Sequence, residues 1–69
     1  MDLTEDAYTE KLTSMRGGES PKWEDVLALM IDKASAGDCL VVNTEAHRAM
    51  AAHILPRAKP GENIAVRVK

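Results

Sequence analysis

Apolar residues recur at helical spacing through the first half of the chain and change to short strand-like runs in the second. The clearest helical pattern joins Trp23, Val26, Leu27, Met30, Ile31 and Ala34, which recur at i, i+3, i+4, i+7, i+8 and i+11. Ser20 stands before it as a candidate N-cap with Pro21 at the first helical position. Glu24 and Asp25 fall in or near the first turn, and Gly37 is the expected terminator. Leu29 lies off this stripe, so it either widens the buried face or belongs to an interface. Upstream, Asp2 to Met15 predicts a first helix with a narrow stripe of Leu3, Ala7, Tyr8, Leu12 and Met15. Asp2 is its candidate cap, with Glu5 three residues on in a capping-box relation, and Arg16-Gly17-Gly18 ends it.

The second half is organised around Gly37 to Ile54. Leu40, Val41 and Val42 form a continuous apolar run between Gly37-Asp38 and Asn43-Thr44, too short for a helix and typical of a strand covered on both faces. Asn43 or Thr44 can then cap a helix, and Glu45 places an acid in its first turn. Ala46, Ala49, Met50, His53 and Ile54 make the expected buried stripe of that helix, and Pro56 stops it at Leu55. Pro60-Gly61 fits the centre of a type II turn. From Asn63 to Lys69 the pattern alternates, with Ile64, Val66 and Val68 on one side and Ala65, Arg67 and Lys69 on the other.

These elements predict one α/β (or small α+β) domain spanning residues 1–69, in the order α-α-β-α-β. A two-stranded sheet packs on the helices, with residues 1–18 peripheral to it. Strand and helix lengths match a parallel strand–helix–strand crossover, and an antiparallel pairing stays open. Two strands are few for a stable sheet, and 69 residues give a thin core, so a second copy is expected to complete it. The free edge of the last strand, or Leu29 with the Tyr8 stripe, is the expected contact of a homodimer or higher oligomer.

Composition narrows the chemistry. One cysteine, Cys39, excludes an internal disulfide and fits a reducing, cytoplasmic setting. No apolar run approaches the roughly 18 residues of a membrane span. The net charge of −2 hides an asymmetry. Residues 1–38 carry nine acids against four bases, and residues 39–69 carry two acids against five bases. The molecule is therefore expected to be electrically polar unless the fold interleaves its halves. Five bases spread over a helix, a loop and a strand, with no aromatic among them, argue against nucleic-acid binding.

No catalytic constellation is legible. His47 and His53 are six residues apart and do not share the helix face that a metal pair needs, so no metal and no cofactor are expected. His53 reads as a packed histidine, His47 as a solvated one in the first helical turn, and Cys39 as a small buried hydrophobe. The helix start after the central strand offers a low-specificity anion site of Asn43, Thr44 and His47, in a turn without the glycines of a dinucleotide or phosphate loop. Leu40-Val41-Val42-Asn43-Thr44-Glu45 and the alanine-rich helix after it resemble a strand-to-helix element of helicase-type ATPase domains. The likeness is confined to this stretch and comes without the nucleotide-binding motifs, so it implies a fold element and no activity.

The expected function is a small non-catalytic protein-interaction module, in the format of phage or mobile-element accessory proteins that bind and inhibit or modulate a larger host complex. Asp2, Glu5, Asp6, Glu10, Glu24 and Asp25, with Tyr8 and Leu29 as apolar anchors, are its candidate partner-binding residues. The alternative is a small-ligand or anion module at Asn43-Thr44.

Overall fold

The computed structural model describes residues 1–58 and 63–69; the turn expected at Pro60-Gly61 lies outside them. The chain runs β1 (Asp2–Thr4), α1 (Glu5–Met15), α2 (Trp23–Lys33), β2 (Cys39–Val42), α3 (Glu45–Ile54), a single 3-10 turn (Leu55–Arg57) and β3 (Ala65–Val68). The strands form one parallel sheet in the order β1-β2-β3, with Leu3 beside Leu40 and Leu40 beside Val66.

The α/β class and the parallel β2–β3 pair agree with the sequence pattern, but the sheet has three strands and the order is β-α-α-β-α-β. Asp2-Leu3-Thr4 is a strand and not the first turn of a helix. Cys39 N–H donates to Met1 O at 2.9 Å, and the ladder to β2 continues from there. Thr4, not Asp2, caps α1, its Oγ1 accepting the Ala7 N–H at 3.4 Å. Helix α2 begins at Trp23 behind an extended Lys22, two residues beyond the start expected from Pro21, and has no side-chain cap. It ends at Lys33. Gly37, at φ 90°, sits in the turn into β2 and donates its N–H to Asn63 O at 2.9 Å.

Alternation along the strands sorts the two faces of the sheet. Leu3, Leu40 and Val42 join Val26, Leu27 and Met30 of α2, Ala51 of α3 and Leu55 in one buried cluster, against which Tyr8 and Leu12 of α1, Val66 and Val68 pack. All three helices therefore cover the same face. The opposite face carries Asp2, Thr4, Cys39, Val41, Ala65 and Arg67, of which only Val41 is buried. Arg67 reaches across β2 to Asp2, Nη2 to Oδ2 at 2.6 Å, over the space between Cys39 and Val41. No helix of the described residues is long and apolar enough to cross a membrane.

The stripe expected to bury α3 faces solvent instead. Ala46, Ala49, Met50, His53 and Ile54 are exposed, and the helix turns Ala51, with His47 and Leu55 one turn to either side, toward the sheet. His53 is thus not a packed histidine.

Asp38 ties down the amino end of the sheet. Its Oδ2 accepts the Ser35 N–H at 2.8 Å and its Oδ1 the Met1 amine at 3.1 Å. These donors, the Ser35 N–H first, hold its carboxyl below the usual carboxylate range. A depressed folded-state value contributes stability that is present above the unfolded value and lost as pH falls through the folded one. Asp38→Asn should therefore have a lower melting midpoint than the parent at pH 7, and the gap should close on acidification. Melting curves for both proteins at pH 7 and in strong acid check this.

Candidate functional site

The carboxyl end of a parallel sheet is where helix N-termini converge, and here two of them meet. Both use the same local solution: a strand end, a Thr cap, then an acid in the first turn. Thr4-Glu5 opens α1 and Thr44-Glu45 opens α3, with Thr44 Oγ1 accepting the His47 N–H at 3.1 Å. Glu45 points outward and pairs with Arg48, which lowers the acid's pKa, mainly through the hydrogen bond. Glu5 turns inward and is only 6% exposed.

A carboxylate placed there needs donors on every side, and the segment after β2 supplies them. Asn43 N–H donates to Glu5 Oε1 at 3.0 Å, Asn43 Nδ2 to Oε2 at 3.3 Å, and His47 Nδ1 lies 2.8 Å from Oε1. Because a carboxylate only accepts, the proton of that last bond is on Nδ1. The imidazole stacks on the Trp23 indole, with centroids 3.9 Å apart and planes 13° from parallel. Trp23 Nε1 is buried without a partner among the described residues.

Around this knot lies a second, exposed layer. Asn43 Nδ2 also donates to Asp6 Oδ1 at 2.7 Å, and Lys69 Nζ donates to Asp6 Oδ2 at 3.1 Å. Both lower the Asp6 pKa, the Asn43 bond most. The ends of β1 and β2, whose paired residues are 37 apart in sequence, and the end of β3 are thereby tied together.

The expected anion-binding residues Asn43, Thr44 and His47 do come together, but they are engaged by groups of the protein itself. Glu5 fills the place an external anion would take. The expected acidic surface is divided in the fold: Glu5 is buried, Asp2 and Asp6 pair with Arg67 and Lys69, and Asp25 pairs with Arg16 at 2.7 Å. Glu10 and Glu24 remain exposed, while Tyr8 and Leu29 are half-buried. The halves of opposite charge are interleaved by β1 lying in one sheet with β3. Sequence reasoning missed the Glu5 knot; its one local signal was the repeated Thr-Glu step.

Chemically, Glu5 and His47 form an oriented carboxylate–imidazole pair, but no pocket opens among the described residues to hold a substrate beside it. No group of three or more potential metal ligands occurs among them either. No protein-family model, curated protein or solved structure matches the chain.

Proposed function

We propose that the chain is a non-catalytic protein-interaction module that works through the open face of its sheet, with a second copy of itself as its first partner. On this reading it acts as an accessory protein that binds a larger complex and modulates it. One observation carries the reading: all helices of an all-parallel sheet lie on one face. Parallel sheets are found almost only with both faces covered, so a bare one calls for a covering surface. The oriented Glu5–His47 pair serves to lock β1 and β2 in register beneath that face.

The test is an amide chemical-shift series from micromolar to millimolar protein. Thr4, Cys39, Val41, Ala65 and Arg67 should move with concentration while α2 stays fixed. Shifts confined to α1 and α2, or none at all, would remove the reading.

A second reading places a small anion at Asn43, Thr44 and His47. Asn43 and His47 are suited to a carboxylate, since they already bind that of Glu5, which the ligand would have to displace. A ligand bound only by the folded form at ~100 times its dissociation constant adds about 2.7 kcal/mol, a visible shift for a small domain. An unchanged melting midpoint with phosphate and with nucleotides would dismiss it.

A further inference from the structure

The two edges of the sheet are finished differently. On the face that carries the helices, Leu3 of β1 is 3% exposed and Leu40 and Val42 of β2 are fully buried, whereas Val66 and Val68 of β3 stay partly exposed. No strand lies beyond β3 among the described residues. A parallel ladder sends the N–H and C=O of one residue to the same side and those of its neighbours to the other. Ala65 N–H donates to Asp38 O at 3.1 Å and Lys69 N–H to Val42 O at 2.9 Å, so Ala65, Arg67 and Lys69 bond inward. Val66 and Val68 therefore hold their backbone groups out at the edge, a row that calls for another strand.

The side chains beside that row decide which strand fits. Its core-side residues must be apolar, to continue the surface of Ile64, Val66 and Val68, which pack against the core. The residue across from Arg67 must be small or acidic, because like charges directly opposite destabilise a pair. β3 itself meets both demands when two copies run antiparallel with Val66 opposite Val66. Ile64 then stands opposite Val68, and Ala65 opposite Arg67, which keeps its bond to Asp2 of its own chain. Sliding one copy by two residues is the smallest step that keeps the outward groups facing one another. In one direction it sets Arg67 against Arg67, and in the other it leaves only Ala65 paired within the strands.

We infer that β3 pairs antiparallel with β3 of a second copy in that register, a contact separate from whatever covers the open face. The two-fold axis stands normal to the sheet. Six strands then make one sheet, with the helices of both copies on one side and the two open faces side by side on the other. Helix α3 joins β2 to β3 and packs over them. Strands ~4.8 Å apart set the two α3 helices about 10 Å from each other, an ordinary packing distance for helices. Ala52, about 140° round the helix from the inward-turned His47, is exposed on the flank that meets the partner and leaves room for that approach. The paired edge is short, so the dimer is weak and forms with rising concentration.

Amide solvent exchange, measured by NMR from micromolar to millimolar protein, tests the pairing residue by residue. The Val66 and Val68 amides should slow as concentration rises, while those of Ala65 and Arg67, already bonded to β2, keep their rates. At about ten times the dissociation constant roughly four-fifths of the chains are paired, so the slowing should reach about fivefold. Ala65→Glu sets an acid opposite the partner's Arg67 at two symmetric places and should tighten the pairing roughly threefold; Ala65→Lys opposes like charges there and should weaken it by as much. Ala65 is exposed, so both variants should keep the parent's circular dichroism. The wild-type exchange rates decide the matter even where a variant fails to fold. Val66 and Val68 rates that ignore concentration up to millimolar protein would overturn the pairing and leave the edge to a strand of a different protein. Two variants that shift the effect in the same direction would overturn the register. Association that moves Thr4, Cys39 and Val41 without slowing Val66 and Val68 would overturn the edge and keep the open-face reading; slowing of Val66 and Val68 without those movements would support the edge and remove the open-face reading.

Discussion

Glu5→Ala should lower the stability of the folded chain by about 3 kcal/mol, although the residue belongs to no hydrophobic core. The buried carboxylate accepts from Asn43 twice and from His47 once. Hydrogen bonds to a charged group contribute about 1.5–3 kcal/mol each and are not additive, and removing the acceptor strands a part-buried N–H as well. At 0.05–0.15 kcal/mol per residue, a chain of 69 residues has roughly 3–10 kcal/mol in all. The melting midpoint should fall by about 12–24 °C, at 4–8 °C per kcal/mol for domains of this size. Glu5→Gln keeps one acceptor oxygen and should lose less. Because the His47 ring lies on Trp23, indole fluorescence of the alanine variant should change even where it is still folded. Added acetate, which can enter the vacated place, should recover part of the loss; chloride at equal strength should not.

Leu40→Ala should be as damaging or worse. Leu40 is the centre of the central strand, fully buried, with Leu3 and Val66 beside it and α2 above it. Truncating a buried leucine costs about 2–5 kcal/mol, through lost transfer energy and the cavity left behind. That is comparable with the whole stability expected of so small a domain, so the variant should be largely unfolded at 37 °C by circular dichroism. Met50→Ala is the contrast. Met50 is 43% exposed on the outer side of α3, and its truncation should change stability by no more than about 0.5 kcal/mol.

The contrast between Leu40 and Met50 also shows which parts of this fold are legible in one sequence. The run Leu40-Val41-Val42 and the alternation from Ile64 to Val68 are local patterns. They reported two strands and the helix between them, and favoured a parallel pairing while an antiparallel one stayed open. The face of α3 was misread because an alanine-rich helix offers apolar residues on several sides. The side that turns inward carries Ala51 and Leu55, which join the core, and His47, which meets a carboxylate 42 residues away. β1 escaped notice for the same kind of reason. Asp2-Leu3-Thr4 holds one apolar residue, and its strand character comes from pairing with Cys39–Val41. The site residues followed suit. Asn43, Thr44 and His47 were visible as a helix start, whereas their internal partner Glu5 read as one acid among several until the fold buried it.

The charge asymmetry of the sequence acquires its meaning only in the sheet. The acids of the first segment and the bases of the last lie in or just beyond strands on either side of β2, and their side chains meet across it. Their cross-strand pairs, Asp2 with Arg67 and Asp6 with Lys69, raise the Arg67 pKa, chiefly through its bond to Asp2, and lower that of Asp6, through Asn43 first and Lys69 second. Such exposed pairs contribute little to stability.

Sedimentation equilibrium from micromolar to millimolar protein, at low and at high salt, tests most directly whether this face is a working surface. The open face requires a mass that starts at 7.5 kDa and climbs toward twice that value as concentration rises, with the climb weakened by salt. A single 7.5 kDa species across the whole range would contradict it.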